Sequence, residues 1–225
     1  MRVVEGGKEA YTTLGLLGRV EPGRALVYFP PGTGLEKLKA AGFGILERYD
    51  LGSSCNLELV KVGFEKPLGE ALAELEALDP AYKADPESLW SFDAVDGPRE
   101  VGAPLAHQRG HRGQGVKVAV LDTGVEPSLP QQLPGYDFVE NDPTPQDAFP
   151  GGHGTGVASL VLEVAPEAQI IPLRVCDQTG TCRASRVVRG VCWVLDQTPP
   201  PTVLNLSLGG TPPWNSCEAS WNWRC

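Results

Sequence analysis

Three short apolar runs, over residues 116–121, 170–175 and 203–206, are separated by segments whose apolar residues recur at helical spacing. Parallel strands need a crossover of a dozen or more residues, so this alternation restricts the chain after residue 100 to a parallel sheet covered by helices on both faces. Helices are expected over 154–164 and 185–195, the second presenting Val188, Val191, Cys192 and Leu195 on one face.

The texture before residue 96 is different, charged and rich in Leu, Ala and Glu, and Asp96-Gly97-Pro98 is a turn signal between the two regions. We divide the chain into an extension over 1–22, a small domain over 23–96 and a larger one over 97–225. In the small domain a strand over 24–29 stops at Pro30-Pro31-Gly32. Leu35, Leu38 and Ala41 then give a helix ending at Gly42. Strands follow over 44–50 and 56–62, with Gly52-Ser53-Ser54 as the turn. A helix starting after Pro67 carries Leu68, Ala71, Leu72, Leu75 and Leu78, and an extended piece over 81–84 completes the set. The order strand, helix, strand, strand, helix, strand is the ferredoxin-like α+β unit.

A formal charge of -9 and a pI near 4.9 set the chain against phosphate backbones and anionic lipid, so nucleic acid and membrane are not expected partners. No apolar run approaches the 18 residues that span a bilayer. The first ten residues carry acids where a secretory signal would begin its apolar stretch. Yet the six cysteines are even in number and five lie after residue 175, which leans towards pairing in an oxidising compartment. The compartment stays open on these two observations. Cys176 and Cys182 flank Asp177-Gln-Thr-Gly-Thr181, a turn-prone loop whose length allows a local disulfide; no second cysteine pair or histidine cluster has metal-ligand spacing.

Asp122 closes the first apolar run and is followed by Thr123-Gly124, which places a carboxylate at the carboxyl rim of the sheet, where open α/β folds bind ligands. It would equally serve as a turn cap, or as half of an aspartic peptidase dyad. The latter needs a second carboxylate, and no second Asp-Thr-Gly occurs. His153 stands in Gly151-Gly-His-Gly-Thr-Gly156 at an expected helix start, where small neighbours admit a substrate backbone and the helix terminus favours the neutral base. A lone histidine is usually structural; a second polar element 31 residues after Asp122 points to a pair. A third motif, Asn205-Leu206-Ser207-Leu208-Gly209-Gly210, ends a buried strand in glycines and could accept a peptide as an added strand.

In order and spacing these three motifs, over about residues 97–210, resemble the subtilisin-like serine peptidases. The resemblance implies that Asp122 orients His153, that His153 takes the proton of a serine, and that Ser207, Leu208 and Gly209 line a bound peptide or protein substrate. It also implies that the segment over 24–90 is a propeptide that assists folding and whose tail occupies the active-site cleft. No cofactor is implied; Asp137, Asp142 and Asp147 could coordinate calcium, as several loops of that family do, but the favoured reading is solvated loop carboxylates and no metal ligand. The fold class is therefore α/β, a carboxyl-terminally incomplete subtilisin-like parallel-sheet domain after a ferredoxin-like propeptide. Incompleteness follows because the family's Gly-Thr-Ser-Met-Ala-like nucleophile turn is missing: Ser216 and Ser220 lack that context, as does Asn215 for an oxyanion donor. A chain with the Asp and His of a serine endopeptidase but no nucleophile is expected to be inactive alone. The alternative is a noncatalytic inhibitor or folding chaperone of another subtilase.

Overall fold

A computed structural model describes residues 2–5, 8–11, 18–92 and 101–209. They fall into two compact units: Met1–Trp90 together with Arg183–Val188, and Ser91–Cys182 together with Arg189–Gly209. The boundary expected at residue 96 lies outside the described residues.

In the first unit, β1 (Arg2–Glu5) pairs antiparallel with β2 (Lys8–Tyr11) and parallel with the start of β3 (Gly18–Phe29). Then come α1 (Glu36–Ala40), β4 (Gly44–Asp50), α2 (Gly52–Cys55), β5 (Glu58–Gly63), α3 (Leu68–Leu78) and β6 (Lys83–Phe92). The antiparallel order is β6-β3-β5-β4. Three details depart from the sequence pattern. Strand β3 begins at Gly18, six residues before the expected strand and within the segment set apart as an extension. Gly52-Ser-Ser-Cys55 is one helical turn, stopped by Asn56 in the left-handed region. The last strand also runs eight residues beyond its expected end, through Pro86, because the ladder to β3 carries a bulge there.

Ala25, Val27 and Phe29 alternate along β3 onto the face covered by α1 and α3, where they bury against Leu38, Leu72, Leu75 and Tyr82. The opposite face is buried too. It carries Leu26, Tyr28 and Leu59 and a charged set centred on Lys61, which pairs with Glu21 at 2.7 Å and with Glu87 at 3.4 Å. Glu21 also pairs with Arg183, and Glu87, wholly buried, accepts the Ser185 N–H at 3.1 Å. Two acids thus face two cations and the first turn of a helix, the arrangement that makes buried carboxylates tolerable.

The second unit begins with α4 (Ala103–Gln108) and is built on β7 (Lys117–Asp122), β8 (Tyr136–Asp137), α5 (His153–Val164), β9 (Gln169–Arg174), β11 (Val203–Asn205) and β12 (Leu208–Gly209); β10 (Cys182–Arg183) and α6 (Ala184–Asp196) are divided, with Arg183–Val188 in the first unit and the rest in the second. The sheet order is β11-β7-β9-β8, all parallel. Val118, Val120 and Ile170 pack on Val157 and Ala158 of α5. The alternate residues face the other way: Gly190 of α6 lies so close to Leu121 and Val175 that an added Cβ would sit 3.0 Å and 3.1 Å from their side chains. This contact sets the phase of α6, burying Val187, Cys192 and Val194 and leaving Leu195 42% exposed. The stripe expected to include Leu195 is rotated accordingly. Among the described residues no helix is long and apolar enough to cross a membrane.

Candidate active site

Period-two alternation along β7 decides where Asp122 points. Val118 and Val120 face α5, so Asp122, two residues on, faces it as well. His153 is the first residue of α5, and its Nδ1 lies 2.8 Å from Asp122 Oδ1. The approach requires Gly154, where a Cβ would stand 2.2 Å from the Gly124 carbonyl oxygen and 3.0 Å from Asp122 Cβ. Gly124, at φ +102° with the Pro145–Gln146 backbone against it, is required for the turn that follows the acid.

Asp122 Oδ1 also accepts the Thr123 N–H at 2.7 Å and the Thr123 hydroxyl at 3.3 Å. Oδ2 is buried with no hydrogen-bond partner among the described residues. Burial therefore pushes the Asp122 carboxyl above its ordinary range, more than the bonds from His153 and Thr123 pull it down. A proton on Nδ1 directed at the carboxylate would leave Nε2 with the lone pair, the tautomer a general base requires.

The first turn of α5 is held by side chains that no local capping pattern identifies. Gly152, at the cap position, has no side chain to offer. Instead Asp147 reaches over from six residues upstream of His153: its Oδ2 accepts the Thr155 N–H at 2.9 Å and the Thr155 hydroxyl at 2.7 Å, and its Oδ1 accepts the Phe149 N–H at 3.1 Å. Thr123 Oγ1 accepts the Gly154 N–H at 2.9 Å, and Thr155 Oγ1 the Glu126 N–H at 3.0 Å. The only trace of this in the sequence is the Thr beside each motif residue.

The three acids offered to calcium are each engaged by the protein and do not fit a shared ion. Asp137 binds Arg174 at 2.7 Å through Oδ2 and the Val139 and Glu140 N–H groups through Oδ1. Asp142 accepts from the Thr144 N–H and hydroxyl, and Asp147 caps α5. Among the described residues no group of three or more His, Cys, Asp or Glu could hold a metal.

Leu208 and Gly209 form β12, which pairs antiparallel with Phe92 and Ser91 of β6. Ser207, just before it, donates its hydroxyl to Asn205 Oδ1 at 3.0 Å. Cys176 and Cys182 are joined in a disulfide. Ser216, Ser220 and Asn215 lie outside the described residues.

A buried carboxylate bonded to an imidazole is the acid–base pairing found in Ser-His-Asp triads, which recur on unrelated folds. Residues 113–223 match the Subtilase family, and this segment belongs to that family of subtilisin-like serine peptidases. Thermitase from Thermoactinomyces vulgaris is 37% identical over 129 residues, covering 51% of this chain and 44% of thermitase. Subtilisin Savinase from Lederbergia lenta is 38% identical over 132 residues, covering 54% of this chain and 48% of its own length. The chain thus spans less than half the length of these curated relatives. Fervidolysin from Fervidobacterium pennivorans, a keratinolytic enzyme related to subtilisin, superposes with a TM-score of 0.66 at 19% identity, over 93% of this chain and 38% of fervidolysin. That likeness establishes the subtilisin-like α/β fold.

Proposed function

We propose that the chain is the amino-terminal part of a subtilisin-like serine endopeptidase: a propeptide over 23–96, ferredoxin-like in strand order, followed by the portion of the catalytic domain that carries the acid and the base. The 2.8 Å hydrogen bond between Asp122 Oδ1 and His153 Nδ1 is the observation that carries this reading. Asp122 fixes the imidazole and stabilises the imidazolium; His153 Nε2 takes the proton of a serine hydroxyl as it attacks a peptide carbonyl, then returns it to the leaving amine. Ser207, Leu208 and Gly209 bind the substrate backbone by strand addition. The antiparallel pairing of Leu208 and Gly209 with residues 91 and 92 supports both that role and a propeptide tail lying along the same edge.

The chain is read as lacking its nucleophile because no Gly-Thr-Ser-Met-Ala-like turn occurs in the sequence; Ser207 bonds to Asn205, and Ser159 donates to the Thr155 carbonyl at 2.8 Å. In subtilisin, loss of the serine alone costs about 10⁶ in kcat. The 225-residue polypeptide is therefore expected to turn over a fluorogenic peptide no faster than buffer; turnover that disappears in His153→Ala would contradict this. The inhibitor reading is favoured by the same β12 pairing. It predicts slow, tight inhibition when the chain is added to Savinase, whereas a proenzyme segment acting only in its own cleft leaves Savinase unaffected.

A further inference from the structure

We infer that the Cys176–Cys182 disulfide is a positioning device for the Asp122–His153 pair, an inference that rests on the dyad reading above. The β7–β9 ladder ends at Asp122 opposite Arg174. Beyond it, two successive amides of the β9 chain, Val175 N–H at 2.8 Å and Cys176 N–H at 3.1 Å, both donate to the Asp122 carbonyl. The backbone of the acid is therefore gripped by the residue that begins the disulfide. Cys176 pairs with Cys182 across an isolated antiparallel bridge, and both are fully buried. Cys182 opens β10, which passes directly into α6, and α6 returns to pack Gly190 against Leu121 and Val175, the neighbours of the gripped residue and its grip.

A closed ring results: end of β7, end of β9, disulfide, α6, and back to β7. Within it the intervening loop is held by its own local hydrogen bonds: Asp177 Oδ1 accepts the N–H of Thr179 at 3.0 Å and of Thr181 at 3.2 Å, the Thr179 hydroxyl meets Thr181 Oγ1 at 3.1 Å, and the Asp177 N–H donates to the Thr181 carbonyl at 3.0 Å. Both threonines are polar, and Thr179 is exposed. Without the covalent tie only these loop hydrogen bonds join the end of β9 to β10, so the Asp122 carbonyl that the Val175 and Cys176 amides hold, and with it the carboxylate on the same residue, is less firmly placed relative to His153. The burial of both sulfurs makes this a permanent brace rather than a reducible switch.

The test is proton NMR on the full chain, following the downfield Nδ1–H of His153, one of three histidines, with exchange of the Val175 and Cys176 amides. Wild type is expected to show a slowly exchanging ring proton that Asp122→Asn removes. In Cys176→Ala/Cys182→Ala, and in the volume-filling Cys176→Val/Cys182→Val, that proton should exchange about tenfold faster while the β7 amides stay protected. Unchanged exchange in the valine pair, which packs without the bond, overturns the inference and leaves the dyad standing. A wild-type chain with no such proton, or one that survives Asp122→Asn, overturns the dyad and the inference with it. If neither double variant folds, wild type decides: Val175 and Cys176 amides that exchange as fast as those of the loop beyond them overturn the brace.

Discussion

Asp122 shows at the scale of one residue how chemistry and stability pull apart. One oxygen takes three hydrogen-bond donors and the other is buried with none among the described residues, so the charged form is held in an environment that disfavours it. A carboxyl whose pKa is higher folded than unfolded makes the native state bind more protons, so its contribution to stability falls as pH rises from the ordinary carboxylate range through the raised value, and stays low above it. Asp122→Asn should therefore melt higher than wild type at pH 7, with the gap closing as pH is lowered past that window; calorimetry at several pH values measures it. An asparagine variant that melts lower at neutral pH would show that the His153 bond outweighs desolvation. Asp147 is the counterpart, a residue whose removal only harms. Asp147→Ala deletes the cap of α5 and should lower stability by about 1–2 kcal/mol in urea unfolding, while Asp147→Asn, which keeps an acceptor, should recover most of it.

Elements are fixed by what they bury, and the charged set of β3, β5 and β6 is the clearest case. Lys61 stands between Glu21 and the fully buried Glu87, and removing it leaves Glu87 with no paired cation among the described residues. Lys61→Ala is expected to cost about 3–5 kcal/mol, more than an exposed lysine anywhere on the chain; a loss under 1 kcal/mol in the same urea titration would mean that the pairing adds nothing net. Glu21 gives the set its pH dependence. Desolvation pushes its carboxyl up, but the hydrogen bond and charge of Lys61, with Arg183, more than offset this and leave it lowered. A depressed carboxyl stabilises fully above its ordinary value of 4.5 and loses that contribution as pH falls through the folded value. Glu21→Gln should therefore be less stable than wild type at pH 7 and converge with it in acid, opposite in sign to Asp122→Asn. Parallel acid profiles for the two variants would refute one of these assignments.

At the scale of the sheet, β11 is the last strand of the parallel set among the described residues, paired there with β7 alone, and Val203 and Leu206 are 45% and 38% exposed. An apolar parallel edge is a template for further pairing. Val203→Lys should reduce concentration-dependent association in sedimentation, and an unchanged sedimentation profile would show that the edge does not self-associate. Much of this architecture was readable from the chain. Uniform apolar runs of strand length, with helical spacing between, specify a parallel sheet wherever they occur, and strand β4 and helix α3 fall where Gly, Pro and apolar periodicity put them. Alternation in Val118-Ala-Val-Leu-Asp122 already commits the acid to the side of Val118, because side chains in a strand have only two directions.

What the chain could not reveal alone depends on partners distant in sequence. The rotation of α6 that exposes Leu195 comes from Gly190 meeting Leu121. The employment of Asp147 as a cap rather than a metal ligand comes from Thr155 reaching it across a glycine turn. Burial of Glu87 is tolerated because Lys61 and the Ser185 amide converge on it from 26 and 98 residues away. Local periodicity fixes which residues share a face; only the folded chain, by bringing remote groups to within hydrogen-bond distance, decides what each face and each charge meets.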